Sequence, residues 1–365
     1  MDISRIFQTN AGTLLCMLVL FILNSCSAPQ QSELEIRGIY GHPKPFWEKN
    51  IRLDELGVNS IFLHSGSIDS ALMARAKEQN LRVFAEFATL NGKNYVEDHP
   101  EAWPINEHGE KVSPASWFMG ICPTDTAFKT YRFNQLRTLL QKYDLDGVWM
   151  DYVHWHAQFE EPEPILPETC FCNRCTGNFA TCAGMTLADT AISDRASWIL
   201  NNENVAWRNW RCRVIYDWAI EIKAIVKEIR PDALLGLYHC PWNDDEYNGA
   251  RQRILGLDYD LLRPVIDVFS PMVYHGRMGR EPAWVSENIS WFCKRLQIES
   301  GNWPKVWPIV QAYDEPQYIT PDEFTNVLSG GSAPPVTGIM MFTTQAVAAD
   351  DEKTRAMKYF YDQRK

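Results

Sequence analysis

The chain has 365 residues, a net charge of −11, and 17 Phe, 14 Trp and 14 Tyr. That length suits one sizeable core, since single barrels of strands and helices run to about 250 residues or more. The acidic excess argues against a nucleic-acid partner, which selects for basic surfaces. The aromatic richness is compatible with a sugar-binding cleft, although most rings in any such chain are core and composition alone does not decide.

In chain order, the first element is an apolar run from Ala11 to Leu23, preceded by Arg5 and followed by Asn24-Ser25-Cys26. It is too short to span a bilayer comfortably and reads as an export signal over 1–25. Leu23-Asn24-Ser25-Cys26 resembles a bacterial lipobox, so cleavage before Cys26 and lipid attachment to its thiol are expected. A polar tether over 26–33 follows, and the remaining 34–365 form the folded domain. The expected location is therefore outside the cytoplasm, anchored to a bacterial membrane.

From Leu34 onward, apolar strand-like runs alternate with amphipathic helical stretches. Eight runs are expected as strands: Ile36 to Tyr40, Asn59 to His64, Leu81 to Phe87, Gly147 to Asp151, Leu234 to Tyr238, Asp267 to Met272, Val306 to Gln311 and Gly338 to Phe342. Helices are expected at Ile68 to Gln79, Ala127 to Lys142, Val205 to Ile229, Trp284 to Leu296, Pro321 to Leu328 and Asp351 to Gln363. Eight repeats of one β/α unit without a glycine-rich dinucleotide fingerprint predict an α/β fold of the closed (β/α)8 (TIM) barrel kind rather than an open doubly wound sheet. Two connections are unusually long, Ala88 to Asp125 and Tyr152 to Asn204. Long loops in compact domains carry function or disorder, and these hold Trp103, Trp117, Phe118, Trp155 and Phe159, which predicts ordered walls over the C-terminal mouth of the barrel.

The fourth strand run, Gly147-Val148-Trp149-Met150-Asp151, ends in a carboxylate followed by Tyr152-Val153-His154-Trp155-His156. In a barrel, Asp151 stands on the face that carries the chemistry. The plainer role for such an Asp is to bond local amides or cap a helix. Glu86, flanked by Phe84 and Phe87, is placed at the end of the third strand, where apolar neighbours raise a carboxyl pKa. Asp244, Asp245 and Glu246 lie after the fifth strand.

Several segments together carry a family resemblance: Asp146 to Tyr152, His99-Pro100 with Gly120-Ile121-Cys122-Pro123, Cys170-Phe171-Cys172-Asn173-Arg174-Cys175, and Ser270-Pro271-Met272-Val273-Tyr274-His275. In these the chain resembles bacterial glycosyl-hydrolase-like barrels, related to family 10-like and family 42 glycoside hydrolases. Chitinase-like barrels carry a Glu two residues beyond the corresponding Asp. Here that position is Val153, which argues against their substrate-assisted mechanism. The resemblance implies cleavage of glycosidic bonds in a poly- or oligosaccharide by two carboxyl groups, one protonated and one ionised. On that reading Asp151 is the ionised member and Glu86 the acid, with Asp244 and Glu246 as alternatives. His64, His239, Tyr274, Gln311 and Tyr313 are candidates to hold sugar hydroxyls, and Trp155 and Trp242 to stack on the rings.

Two other functions fit the sequence. His154-x-His156, His64, His239 and His275 with Asp151 suggest a metal-dependent hydrolase, although amidohydrolase-type barrels place His-x-His at the first strand, where only His42 occurs. A glycan-binding lipoprotein without turnover is the third possibility. Catalysis by the carboxylates needs no cofactor. Cys170, Cys172 and Cys175, with Cys182 nearby, suit either thiolate ligands of zinc or disulfides in an exported protein. The resemblance favours a structural zinc, because family 42-like barrels carry a comparable cluster.

Overall fold

A computed structural model describes residues 33–365. The signal, Cys26 and the tether up to Ser32 lie outside the described residues. Among the described residues nine strands are formed: β1 (Ile36–Tyr40), β2 (Ser60–His64), β3 (Arg82–Ala88), β4 (Gly147–Asp151), β5 (Leu234–His239), β6 (Val268–Val273), β7 (Lys305–Val306), β8 (Ile309–Gln311) and β9 (Gly338–Phe342). All pair in parallel, in the cyclic order β1-β2-β3-β4-β5-β6-β8-β9, and β9 returns to β1. The short β7 pairs with β6 below β8, so the two pieces together make the seventh of eight barrel staves. The expected single strand from Val306 to Gln311 is interrupted at Trp307-Pro308, because Pro308 has no N–H to give to a ladder.

The N-terminal rim is held by a repeated device. Asn59, Asp146 and Asp267, each just before an even-numbered strand, accept the backbone N–H of Arg37, Val83 and Leu235 on the strand before, at 2.7–2.8 Å. A short polar side chain here fixes the register of neighbouring strands where sheet bonding begins. Above this rim the barrel is filled with aromatic rings. Phe62 stacks on Phe84 at 4.6 Å, Trp149 meets both edge-on, and Trp307 stacks on Trp149 at 5.5 Å. Gly236 makes this possible, since a Cβ there would stand 2.1 Å from the Trp149 ring. The Trp149 indole N–H donates to Ser270 Oγ at 2.9 Å and that of Trp307 to Thr337 Oγ1 at 3.0 Å, which satisfies the indole nitrogens the plug buries. The barrel is therefore solid up to the level of Glu86, and only the C-terminal mouth is free to hold a ligand.

The expected helices form within a few residues of their predicted ends, the longest being Asn204–Ile229. Additional helices at Asn173–Ala183 and Ile192–Asn202 occupy the long connection after β4. The first of these holds two Cys, two Thr, two Asn and a Gly, with little intrinsic helix preference, and its N-terminus is fixed by the Cys172 sulfur accepting from Cys175 N. The loops after β3 and β4 bond to each other: Phe171 N donates to Ile105 O at 2.8 Å, and Gly120 N donates to His156 Nδ1 at 3.0 Å. No helix among the described residues is long and apolar enough to cross a membrane.

Candidate active site

Asp151 ends β4, and the chain turns at once: Tyr152 adopts a left-handed φ of 52°, with its N–H donating to Asp151 Oδ1 at 2.8 Å. A non-glycine residue there costs of order 1 kcal/mol or more, and such positions cluster at functional sites. The turn leaves Asp151 facing a cavity of about 100 Å³, lined by Tyr40, Trp117, Tyr152, Glu160, Tyr238 and Tyr274 among others, with Met272 and Ile309 also in its wall.

Three carboxyl groups converge here. Glu86 is buried and accepts a hydrogen bond from the Tyr40 hydroxyl. Burial, with Glu160 nearby, raises it to about 7. Asp151 is raised well above the usual carboxylate range, first by burial and then by Glu86 and Glu160. Glu160 is also pushed up to about 7 by burial, against the pull of Arg277, whose guanidinium lies 3.2 Å away. The same guanidinium lies 4.3 Å from the centre of the half-exposed Trp117 ring. Three largely buried carboxyls, of which only Glu160 is paired with a guanidinium, cannot all ionise, so protons are retained in the cluster. The charge is best supported on Glu160, which has the cation, and a proton is best retained on Asp151, which has none. This reverses the expected protonation of Asp151.

The sequence candidates divide clearly. Tyr274 lines the cavity with Asp151. Gln311 and Tyr313 stand behind it: the Gln311 amide accepts from Arg277 N at 3.0 Å and donates to Tyr313 O at 3.0 Å, and so fixes the loop that carries Arg277. Glu86 lies beneath the cavity and is not part of its wall. Asp244 is committed to Arg251 and Arg295, and Glu246 to Arg280 at 2.6 Å. His64 lines a separate groove with Phe87 and Arg132, its Nδ1 accepting from Gly66 N. Trp155 is fully buried, donates to Arg211 O at 3.1 Å and packs on Trp210; Trp242 is buried between Phe159 and Tyr247. Neither is available as a stacking platform, and Trp117 is the tryptophan that faces the cavity. His239 is buried against Tyr259 and Phe292.

Glu160 and Arg277 are the participants that sequence reasoning missed. Phe159-Glu160-Glu161-Pro162 is an acidic pair between apolar residues within an ordered loop, and that pattern was the available signal.

The histidines do not form a metal site. His156 uses both ring nitrogens, accepting from Gly120 N and meeting Ser113 O at 3.0 Å, and His275 pairs with Glu323 at 2.7 Å. Among the described residues the one grouping able to hold a metal ion is Cys122, Cys170, Cys172 and Cys175, whose sulfurs lie within 4.8 Å of one another. A tetrahedral zinc–thiolate centre with bonds of about 2.3 Å places its sulfurs about 3.8 Å apart. Cys122 lies 3.4 Å from Cys175 and 3.8 Å from Cys172, far beyond disulfide bonding and close to that spacing. The donor set therefore fits a structural zinc, with Cys122 from the loop after β3 as the fourth ligand and the exposed Cys182 outside it.

No family model and no curated protein matches the chain. The fold itself is widely shared among solved structures. A beta-galactosidase from the psychrophilic Marinomonas ef1 matches with a TM-score of 0.64 at 9% identity, over 89% of this chain and 58% of that one. The PgaB (BpsB) glycoside hydrolase domain from Bordetella bronchiseptica matches with a TM-score of 0.64 at 11% identity, over 90% of this chain and 98% of that one. A catalytic mutant of Gan42B, a GH42 beta-galactosidase from G. stearothermophilus, matches with a TM-score of 0.59 at 12% identity, over 91% and 58%. The chain thus has the barrel seen in glycoside hydrolases. It spans somewhat over half the length of the galactosidases it matches.

Proposed function

We propose that the protein is a glycoside hydrolase in which Asp151 is the general acid and Glu160 the ionised partner. The observation that carries this reading is the convergence of Asp151 and Glu160 on one cavity, with a cation beside only the second. Glycoside cleavage needs a proton for the leaving oxygen and a negative charge to support an oxocarbenium-like centre. Burial and two neighbouring carboxyls keep the proton on Asp151, while Arg277 supports charge on Glu160. Above about pH 7, where Glu86 ionises, its charge acts from below to keep Asp151 protonated. Trp117 and Tyr274 offer apolar faces to a sugar ring. The structural zinc would hold the loops and take no part in the reaction.

The test is a screen of aryl glycosides and polysaccharides, followed by Asp151→Asn on any substrate that responds. Turnover should fall about a thousandfold or more, with substrate binding largely kept and the melting temperature at least that of the wild type. Near wild-type turnover in the folded variant would remove Asp151 from the mechanism. The rival reading, a barrel that binds glycans without cutting them, predicts binding to the same panel with no turnover.

A lipid-anchored location is proposed from Leu23-Asn24-Ser25-Cys26 alone. Cys26→Ala should move the protein from the membrane to a soluble fraction, and unchanged partition would refute the anchor.

A further inference from the structure

We propose that Gln158 holds the water that is added across the glycosidic bond; this rests on the glycosidase reading above. Beside the main cavity, and sharing Asp151, Tyr152, Glu160 and Trp117 with it, is a second small chamber between Phe118 and the segment Ala157–Glu160. Its free space is about that of a single water molecule. Gln158 lines it and is buried, and neither its amide nitrogen nor its oxygen is bonded to any protein group. A buried amide left unsatisfied is costly, so a partner is expected in the chamber.

The chamber suits water rather than part of the sugar. It is too small for a ring, and it offers a donor and an acceptor from Gln158 next to two carboxyls. His154 adds a further polar wall. Its Nδ1 is committed to Trp155 O at 2.7 Å, and burial lowers its pKa to about 4, so the ring is neutral with Nε2 as an acceptor. The Gln158 backbone exchanges two hydrogen bonds of 2.9 Å with Ile165, which fixes the strand of loop that presents the amide.

In the step this geometry supports, the water oxygen bonds to the anomeric carbon as the bond from that carbon to the leaving oxygen breaks. Asp151 gives its proton to the leaving oxygen and Glu160 takes one from the water. Atoms and charge balance without a covalent enzyme intermediate, so the product has inverted anomeric configuration.

The experiment uses the full chain on an aryl glycoside that it hydrolyses. NMR of the first-formed sugar should show inversion, and retention would overturn the proposal. Gln158→Met keeps the volume and removes a polar group without a protein partner, so the melting temperature should hold or rise. Its kcat should fall about a hundredfold with KM within twofold. A raised KM with unchanged kcat would mean that the chamber takes a sugar substituent, and would overturn the proposal. If Gln158→Met does not fold, a crystal structure of the wild type decides: an ordered water on the Gln158 amide supports the assignment and a dry chamber ends it. No turnover of any glycoside by the wild type would defeat the glycosidase reading and this one with it, whereas full turnover by Gln158→Met would defeat this one alone.

Discussion

The loops after β3 and β4 meet twice, once at the four cysteines and once around Asp151, and the two meeting points differ in kind. At the cysteines, four like groups face one another at distances that a single cation would satisfy. At the cavity, three carboxyls are drawn out of water with one guanidinium among them, and Gln158 is left without a protein partner. The first arrangement exchanges ligand chemistry for loop order, as structural metal sites do. The second leaves polar groups incompletely compensated, which is how a site keeps protons and charge available for a substrate. The loops have to be fixed at the cysteines for Trp117 and Glu160 to be held over Asp151, since neither residue belongs to a strand.

This contrast can be tested from each side. After Asp151→Asn, the largest effect should come from Glu160→Gln, which removes the charge but not the shape and should lower kcat about a thousandfold. In the wild type, kcat/KM should rise with pH through about 7 as Glu160 ionises, and fall at higher pH as Asp151 loses its proton. Arg277→Met should move the lower limb to higher pH, because the cation that favours ionised Glu160 is gone. A limb that stays in place would separate Arg277 from the titration.

A smaller effect is expected at Glu86, and it concerns stability. Its carboxyl is raised in the folded state from 4.5 to about 7, so its neutral form is the one the fold favours. Its stabilising contribution is complete below about pH 4.5 and is lost as pH rises through about 7. Relative to Glu86→Gln, the wild type should therefore lose up to about 3 kcal/mol between pH 4.5 and 8. Urea unfolding of both proteins at several pH values measures the difference. A constant difference would show that Glu86 is not held neutral by its surroundings.

The smallest change in chemistry should come from the cysteines. Cys172→Ser, or treatment with a zinc chelator, should cost on the order of 2 kcal/mol of stability while leaving kcat of the folded protein largely intact at low temperature. Abolished turnover with an unchanged melting temperature would make the cluster part of the chemistry instead. Cys182→Ser, outside the cluster, should change neither.

Much of this was legible in the chain. Alternation of apolar runs and amphipathic stretches determined the eight-fold barrel, because sheet and helix periodicities are local properties of sequence. The place of Asp151 followed from the same pattern, since a carboxylate ending a barrel strand has little choice of face. Cys170, Cys172 and Cys175 were visible by spacing. The fourth cysteine of the cluster was not, because Cys122 lies 48 residues before Cys170 and comes near only when the two loops bond to each other.

Tertiary structure alone decided which aromatic rings meet a ligand and which are core. Trp155 and Trp117 are the same residue type in two long loops, yet one is enclosed by Trp210 and Arg211 and the other stands half-exposed beside Arg277. It also decided protonation. Whether a carboxyl keeps its proton depends on the water it loses and the charges that surround it, and those neighbours, Glu86 for Asp151 and Arg277 for Glu160, come from other barrel elements that sequence distance does not relate.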